Sequence, residues 1–339
     1  MADKGALNGI ILWHYPFSPF ARRVIWYLQL RGLEYAECIQ PFTMPRPDLA
    51  ELGIAYRRIP ILSIGRDVYL DTRLIIQKLE ERFPDGKLGA SDPKEVFIQK
   101  LLEKWTVEGP VFAAATGLVP TEAVNDPKVT EDRKGFCGRD WTAEELDQGR
   151  ADCLVSIKDC FQFLESTILA DGRNWVLGTE QPSLADIEAI WPFDWLVGLE
   201  GSLPLSVVSE KHFPKAYAWI QRFRAALQDV TSSAPKGMSL ESSKAIRAVI
   251  HSNFAEPEGE VDTDDPLALQ KGTEVEMYPT DWGSEHRDRG RLVTLTPSEV
   301  TVASRSRAGD TELRIHAPRT GFRVTEIGRS ASSESSAKV

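Results

Sequence analysis

Apolar positions divide the chain into three stretches of different periodicity. Gly9-Ile10-Ile11-Leu12-Trp13-His14-Tyr15 is a short apolar run ending at Pro16, as a buried strand does. Ser18-Pro19 then opens a helix, with Ser as cap and Pro at the first helical position, and Phe20, Val24, Tyr27, Leu28 and Leu30 ride one side as far as Gly32. Tyr35 to Ile39 reads as a second strand, and Arg46 to Tyr56 as a short irregular helix. Ile59 to Ile64 and Asp67 to Leu70 flank Gly65-Arg66, a hairpin signal. Asp71 to Phe83 predicts another helix, stopped before Pro84. The order β-α-β-α-β-β-α over residues 9–90 is an α/β layer arrangement.

Residues 93–255 read as helical through most of their length. Phe97, Leu101, Leu102 and Trp105 mark one helix, and Leu146 to Leu169 a longer one. Ser183-Leu184-Ala185-Asp186 resembles a capping box ahead of an apolar helix from Ile187 to Val197, and a last helix runs through Tyr217 to Leu227. Pro120 to Trp141 is polar and turn-rich, a long loop. Beyond residue 255 the pattern changes again. Six acids fall within residues 256–265, which reads as a solvated linker. Five short alternating segments follow between residues 271 and 329, the signature of a small all-β module. The Ser-rich end, 330–339, is expected to be disordered.

Composition narrows the class. The 339 residues carry 40 Lys+Arg against 50 Asp+Glu, a net charge of −10, which argues against nucleic acid or an anionic membrane as partner. No apolar run approaches the roughly 20 residues needed to span a bilayer, and Met1 to Gly5 does not open a leader; a cytoplasmic protein is expected. The four cysteines and five histidines show no ligand spacing, so neither a disulfide framework nor a metal site is expected.

Candidate chemistry lies at the first strand-to-helix turn, Tyr15-Pro16-Phe17-Ser18-Pro19-Phe20. Free N–H groups and the positive end of the helix dipole favour an anion there. Local physics alone makes Ser18 a cap. Without an adjacent His or acid it is a poor nucleophile, so a hydrolase reading is weak.

The segment resembles the active-site turn of cytosolic glutathione transferases: Ser-Pro-Phe with an Arg five residues after the Ser is close to the serine-type tau class, and the omega class has Cys in that place. Further matches follow in order. Arg58-Ile59-Pro60 is similar to the basic-apolar-Pro segment whose proline is cis in thioredoxin-like folds; Leu70-Asp71-Thr72 sits where the family has an acid followed by Ser; Ser183 to Asp186 is similar to its helical-domain capping box. The resemblance covers residues 9–228. It implies a thioredoxin-like glutathione-binding domain (9–90) and an all-α substrate domain (93–255), to which a linker and all-β module (256–329) are appended.

It also implies roles. Ser18 would stabilise the glutathione thiolate, Ile59 ahead of cis Pro60 would pair its backbone with the cysteinyl part, and Arg58 would contact a carboxylate of the tripeptide. Asp71 would meet the γ-glutamyl ammonium and Thr72 the γ-glutamyl carboxylate. Arg23 reads as a structural partner for an acid. Asp-Thr in place of Glu-Ser shortens the acid and adds a methyl group. A small hydrophobic electrophile would bind between the domains, with Phe17 and Phe20 as pocket candidates and Trp105, Phe112 and Trp191 as core residues that could also reach it. A hydroxyl at position 18 cannot form a mixed disulfide, so addition or substitution is expected over thiol-disulfide exchange. The long extension resembles glutathione-transferase-like proteins of filamentous fungi, some of them tailoring enzymes of secondary metabolism. A homodimer is usual in the family. Two alternatives stay open: an isomerase or lyase that regenerates glutathione, and a non-catalytic binding protein on the same fold.

Overall fold

Alternation along the first strand decides where the cores lie. β1 (Ile10–His14) sends Ile10 and Leu12 into one core and Ile11 and Trp13 into another, so the strand is buried on both faces. The computed structural model describes residues 9–138, 140–233 and 237–328; the first five residues and the Ser-rich end lie outside them. α1 (Pro19–Leu30), β2 (Ala36–Ile39), α2 (Pro47–Glu51), β3 (Ile61–Ile64), β4 (Asp67–Leu70) and α3 (Thr72–Arg82) follow, the α/β order expected from the pattern. β1 runs parallel to β2 and antiparallel to β3, and β3 pairs with β4 through the Gly65 turn. Gly65 has φ +59°, and a Cβ there would strike the Asn253 carbonyl, so both the turn and the neighbouring chain require glycine.

The helical part comprises α4 (Pro93–Val107), α5 (Pro110–Thr116), a 3-10 turn at Thr121–Val124, α6 (Pro127–Cys137), α7 (Ala143–Ser166), α8 (Leu184–Val197) and α9 (Pro214–Ser233). The expected capping box is present: Asp186 Oδ2 accepts from Ser183 N–H at 2.9 Å, while its other oxygen accepts from Val176 N–H and Trp219 Nε1. The long loop expected at 120–141 contains α6, started by Asp126 and Pro127 and stopped by Gly138 in the left-handed region. This helix has no fully buried side chain, so no apolar stripe announced it.

In the C-terminal region β6 (Glu274–Pro279), β7 (Asp288–Leu295), β8 (Glu299–Arg305), β9 (Glu312–Pro318) and β10 (Phe322–Glu326) are the five strands expected of the appended module, and they are joined to the N-terminal sheet. β9 lies parallel to β4, pairing Asp67 with Arg314, Val68 with Ile315 and Tyr69 with His316. A single ten-stranded sheet results, in the order β10-β6-β7-β8-β9-β4-β3-β1-β2-β5. Its far edge is β5 (Met238–Ser239), and α10 (Ser242–Ile250) packs Ala245 and Val249 into the second core beside Leu49 and Leu52. That core also joins Trp13, Ile61, Val68 and Leu70 to Leu292, Val302, Ile315 and Phe322.

The acidic stretch takes part in this join. Asp67, fully buried, accepts from Ala255 N–H and from His316 Nε2 at 2.9 Å, while His316 Nδ1 donates to Glu299 at 2.6 Å. Lys78 bridges Glu256 at 3.0 Å and Glu299 at 2.7 Å, and Asp265 pairs with Arg319. Burial alone would lower the His316 pKa, but its bonds to Asp67 and Glu299 outweigh that and raise it. Burial would raise Glu299, yet His316 and Lys78 bring it down to about 2. Asp288, which accepts from Ala55 N–H at 2.6 Å, is pushed up to about 7 by burial.

These directions fix a pH dependence. The raised His316 stabilises fully below its ordinary value near ~6.5 and loses that contribution as pH rises through its folded value. Asp288, with its raised value, counts against folding increasingly from pH ~4 to about 7, whereas Glu299 stabilises above its ordinary ~4.3 and loses this as pH falls towards about 2. We expect the melting temperature to be highest between about pH 5 and 6 and to decline towards pH 9. Asp288→Asn, isosteric and uncharged, should flatten the part of the decline below pH 7. A thermal scan across pH checks this; a wild-type melting temperature that climbs from pH 5 to 8 would contradict it.

Candidate functional site

Strand register brings the three predicted segments to one end of the sheet. Trp13 pairs with Ile61, and Ile61 with Leu70. The end of β1 leading to Ser18, the Ile59-Pro60 entry to β3 and the exit of β4 into Asp71-Thr72 are therefore neighbours.

Ser18 is the N-cap of α1, its Oγ accepting from Ala21 N–H at 3.2 Å. It is buried, and among the described residues no acceptor takes its own O–H. A hydroxyl with one lone pair committed and its proton free, at the positive end of a helix, is equipped to donate to an anion. The Ile59–Pro60 bond is cis, and the backbone N–H and carbonyl of Ile59 have no hydrogen-bond partner among the described residues. Asp71 caps α3 with φ 65°, a conformation non-glycine residues adopt at a cost of about 1–3 kcal/mol and which concentrates at functional sites. Its carboxylate takes three bonds from Arg73: backbone N–H at 3.0 Å, Nε at 2.9 Å and Nη2 at 2.9 Å. Burial would raise Asp71, but the Arg73 guanidinium holds it below the usual carboxylate range.

Thr72 Oγ1 accepts from Arg23 Nη1 at 2.6 Å, and Arg23 also pairs with Glu188 of α8, both fully buried. Arg23 thus has the structural partner expected for it, across the domain boundary. Arg58 is committed to the C-terminal region. Its Nε donates to the Trp282 carbonyl at 2.9 Å, and its Nη2 pairs with Asp281 on the β6–β7 loop.

The aromatic candidates separate. Phe17, 56% exposed, joins Tyr15 (4.8 Å between ring centroids) and Phe42 (4.9 Å). Phe20 instead meets Phe112 and Trp191, each at 4.7 Å, between the two domains. Trp191 is fully buried and gives its N–H to Thr106; Trp105 packs on Phe163 and Phe193. Trp195 and Trp282 reach Phe112 at 6.3 and 6.5 Å, and Trp282 also packs on Phe136 at 5.7 Å. Sequence reading missed Asp281, Trp282 and Arg73. For the first two no local signal exists, since they lie some 220 residues from Arg58; Arg73 was readable as a basic residue two positions after the helix cap.

Asp67, Glu256 and His316 bring one donor atom each within 4.8 Å of one another, the geometry of a cation site. Both His316 nitrogens are engaged by carboxylates and Lys78 pairs with Glu256 and Glu299, so these side chains form a salt network at the sheet seam. A cavity of about 380 Å³ is lined by Arg46, Leu49, Tyr56, His286, Arg305 and neighbours, away from Ser18. No helix among the described residues is long and apolar enough to cross a membrane.

Comparison with known proteins bears on the fold and its domains. Residues 12–88 match the model for "Glutathione S-transferase, N-terminal domain", and residues 114–232 match a "Domain of unknown function (DUF7962)". The "Glutathione S-transferase U7" of Arabidopsis thaliana is 23% identical over 221 residues, 65% of this chain and 85% of its own length. A "Probable glutathione transferase omega-2" of Caenorhabditis briggsae is 22% identical over 237 residues, 68% of this chain and 82% of its own. The solved structure of a GST-like protein from Pseudomonas syringae shares the fold with a TM-score of 0.68 at 22% identity, over 94% of this chain and 100% of that one. That likeness extends into the C-terminal strands. Residues 12–88 thus carry a glutathione S-transferase N-terminal domain, the chain is similar to glutathione transferases along most of its length, and its fold is that of the GST-like structure.

Proposed function

We propose that the protein is a serine-type glutathione transferase in which Ser18 stabilises a thiolate for addition to, or substitution on, a small hydrophobic electrophile. The observation that carries this is the Ser18 hydroxyl: buried, capping α1 through its oxygen, and with its proton free. Glutathione supplies the nucleophile, a thiol that titrates near ~8.5 when free. Ser18 donates to the sulfur and the α1 dipole favours its negative charge, both strengthened by burial. Ile59 offers an unpaired N–H and carbonyl to the cysteinyl backbone, as an extended peptide requires. The Thr72 backbone N–H, at the start of α3, faces the γ-glutamyl carboxylate, and the remaining lone pair of Asp71 its ammonium. Phe20 and Phe112 form the apolar ground for the electrophile at the domain boundary.

Ser18→Ala is expected to abolish the ultraviolet thiolate signal of glutathione titrated into the protein and to reduce turnover tenfold or more, as loss of one oxyanion donor does elsewhere (about 10²–10³). The same change removes a helix cap, at about 0.5–2 kcal/mol, so thermal stability is measured alongside. Ser18→Thr, which keeps the hydroxyl, should restore the thiolate. An undiminished thiolate in Ser18→Ala would refute the role. Mass balance of glutathione over many turnovers separates conjugation, in which it is consumed, from isomerisation or elimination, in which it returns.

A further inference from the structure

The β6–β7 loop reaches the same end of the sheet as Ser18 and Ile59 from a part of the chain beyond the resemblance over residues 9–228. Gly283 N–H donates to the Phe136 carbonyl at 2.9 Å, fixing the loop to α6, and a Cβ at Gly283 would crowd Arg57 and Phe136. Thr280 N–H donates to Gly321 at the turn between β9 and β10, holding the other side. Between these anchors the loop presents two groups to Arg58: the Trp282 carbonyl on the Nε edge and the Asp281 carboxylate at Nη2. They differ in environment. The Asp281 side chain is 63% exposed and hangs on a single ion pair, whereas the Trp282 ring is packed against Phe112 and Phe136.

We propose that Asp281 is a resident carboxylate that occupies the Arg58 subsite and must yield it to a carboxylate of the tripeptide, while the Trp282 carbonyl keeps the guanidinium oriented for the exchange. This rests on the glutathione reading above. With the γ-glutamyl carboxylate at the start of α3, the carboxylate that reaches Arg58 is the glycyl one. A guanidinium recognises any carboxylate alike. Asp281 therefore competes with the ligand, and Trp282 is a positioning residue. The C-terminal strands thereby set the affinity of a site built by the N-terminal domain.

Calorimetric titration of the full chain and of Asp281→Asn with glutathione, and with its glycyl ethyl ester, tests this. An exposed pair contributes up to about 1 kcal/mol, so Asp281→Asn should bind glutathione about three- to fivefold more tightly. The ester, which brings no glycyl carboxylate, should gain less than twofold. Asp281→Ala gives the same comparison if the amide makes a bond of its own. Equal affinity of both chains for glutathione, or equal gains for glutathione and ester, would overturn the exchange while leaving the glutathione site standing. No binding to either chain would overturn the glutathione reading, and the exchange with it.

Discussion

A chain ending after residue 255 is expected to accumulate as insoluble or molten protein, without a cooperative thermal transition. β4 is an interior strand of the ten-stranded sheet, and removing β6 to β10 turns it into an unpaired edge. The same cut uncovers one face of the N-terminal sheet. Ile61, Val68 and Leu70 pack in one core with Val302, Leu313, Ile315 and Ala317, all fully buried in the intact protein. Each such side chain contributes about 1.5–3 kcal/mol by burial, so losing a handful of partners exceeds the 5–15 kcal/mol by which a domain is stable. Circular dichroism with a dye that reports exposed apolar surface distinguishes the outcomes. A soluble fragment 1–255 that melts cooperatively would show that the C-terminal strands are a detachable module after all.

That β9 pairs with β4 could not be read from the chain, and the reason is physical. Five segments alternate with period two, which specifies strands and which face is apolar, but not which neighbour each edge selects. The pairing of Val68 with Ile315 spans 247 residues, and parallel partners leave no turn between them to read. Local signals fared differently. Ser18-Pro19 started α1, Gly65 turned the hairpin and Ser183-Asp186 boxed α8, because each is a contact between residues at most a few positions apart. α6 escaped because it buries no side chain fully and so shows no core-facing stripe. α10 carried a short stripe, Ala245 and Val249 four apart, that deserved to be read. Within the site, the cis bond before Pro60 and the neighbourhood of Ser18 with Asp71 were legible through the motif order. The partners that tune those residues, Arg73, Glu188 and Asp281, were legible only in part or not at all.

Glu188 supports the second large expectation. Arg23 and Glu188 form a buried ion pair, among the described residues no second carboxylate pairs with this guanidinium, and Arg23 holds the Thr72 hydroxyl with its other arm. Burial pushes Glu188 up to about 7 against the pull of Arg23, which measures how costly its charge is in this place. Glu188→Ala leaves the Arg23 guanidinium buried and uncompensated, at about 3–5 kcal/mol. At about 2–4 °C per kcal/mol, the scale for a protein of about 150–250 residues, that lowers the melting temperature by about 6–20 °C, and by less in a longer chain. Replacing both partners by apolar residues of similar volume, Arg23→Met with Glu188→Leu, should recover most of the loss, because the pair contributes little net stability once its desolvation is counted. The double variant should still bind glutathione less well, since Thr72 loses the arm that positions it at the start of α3. Thermal melts of the single and double variants, followed by glutathione titration of the double, separate the two effects. A Glu188→Ala protein within 1 kcal/mol of wild type would mean that the guanidinium reaches water, and the clamp between the domains would have to be sought elsewhere.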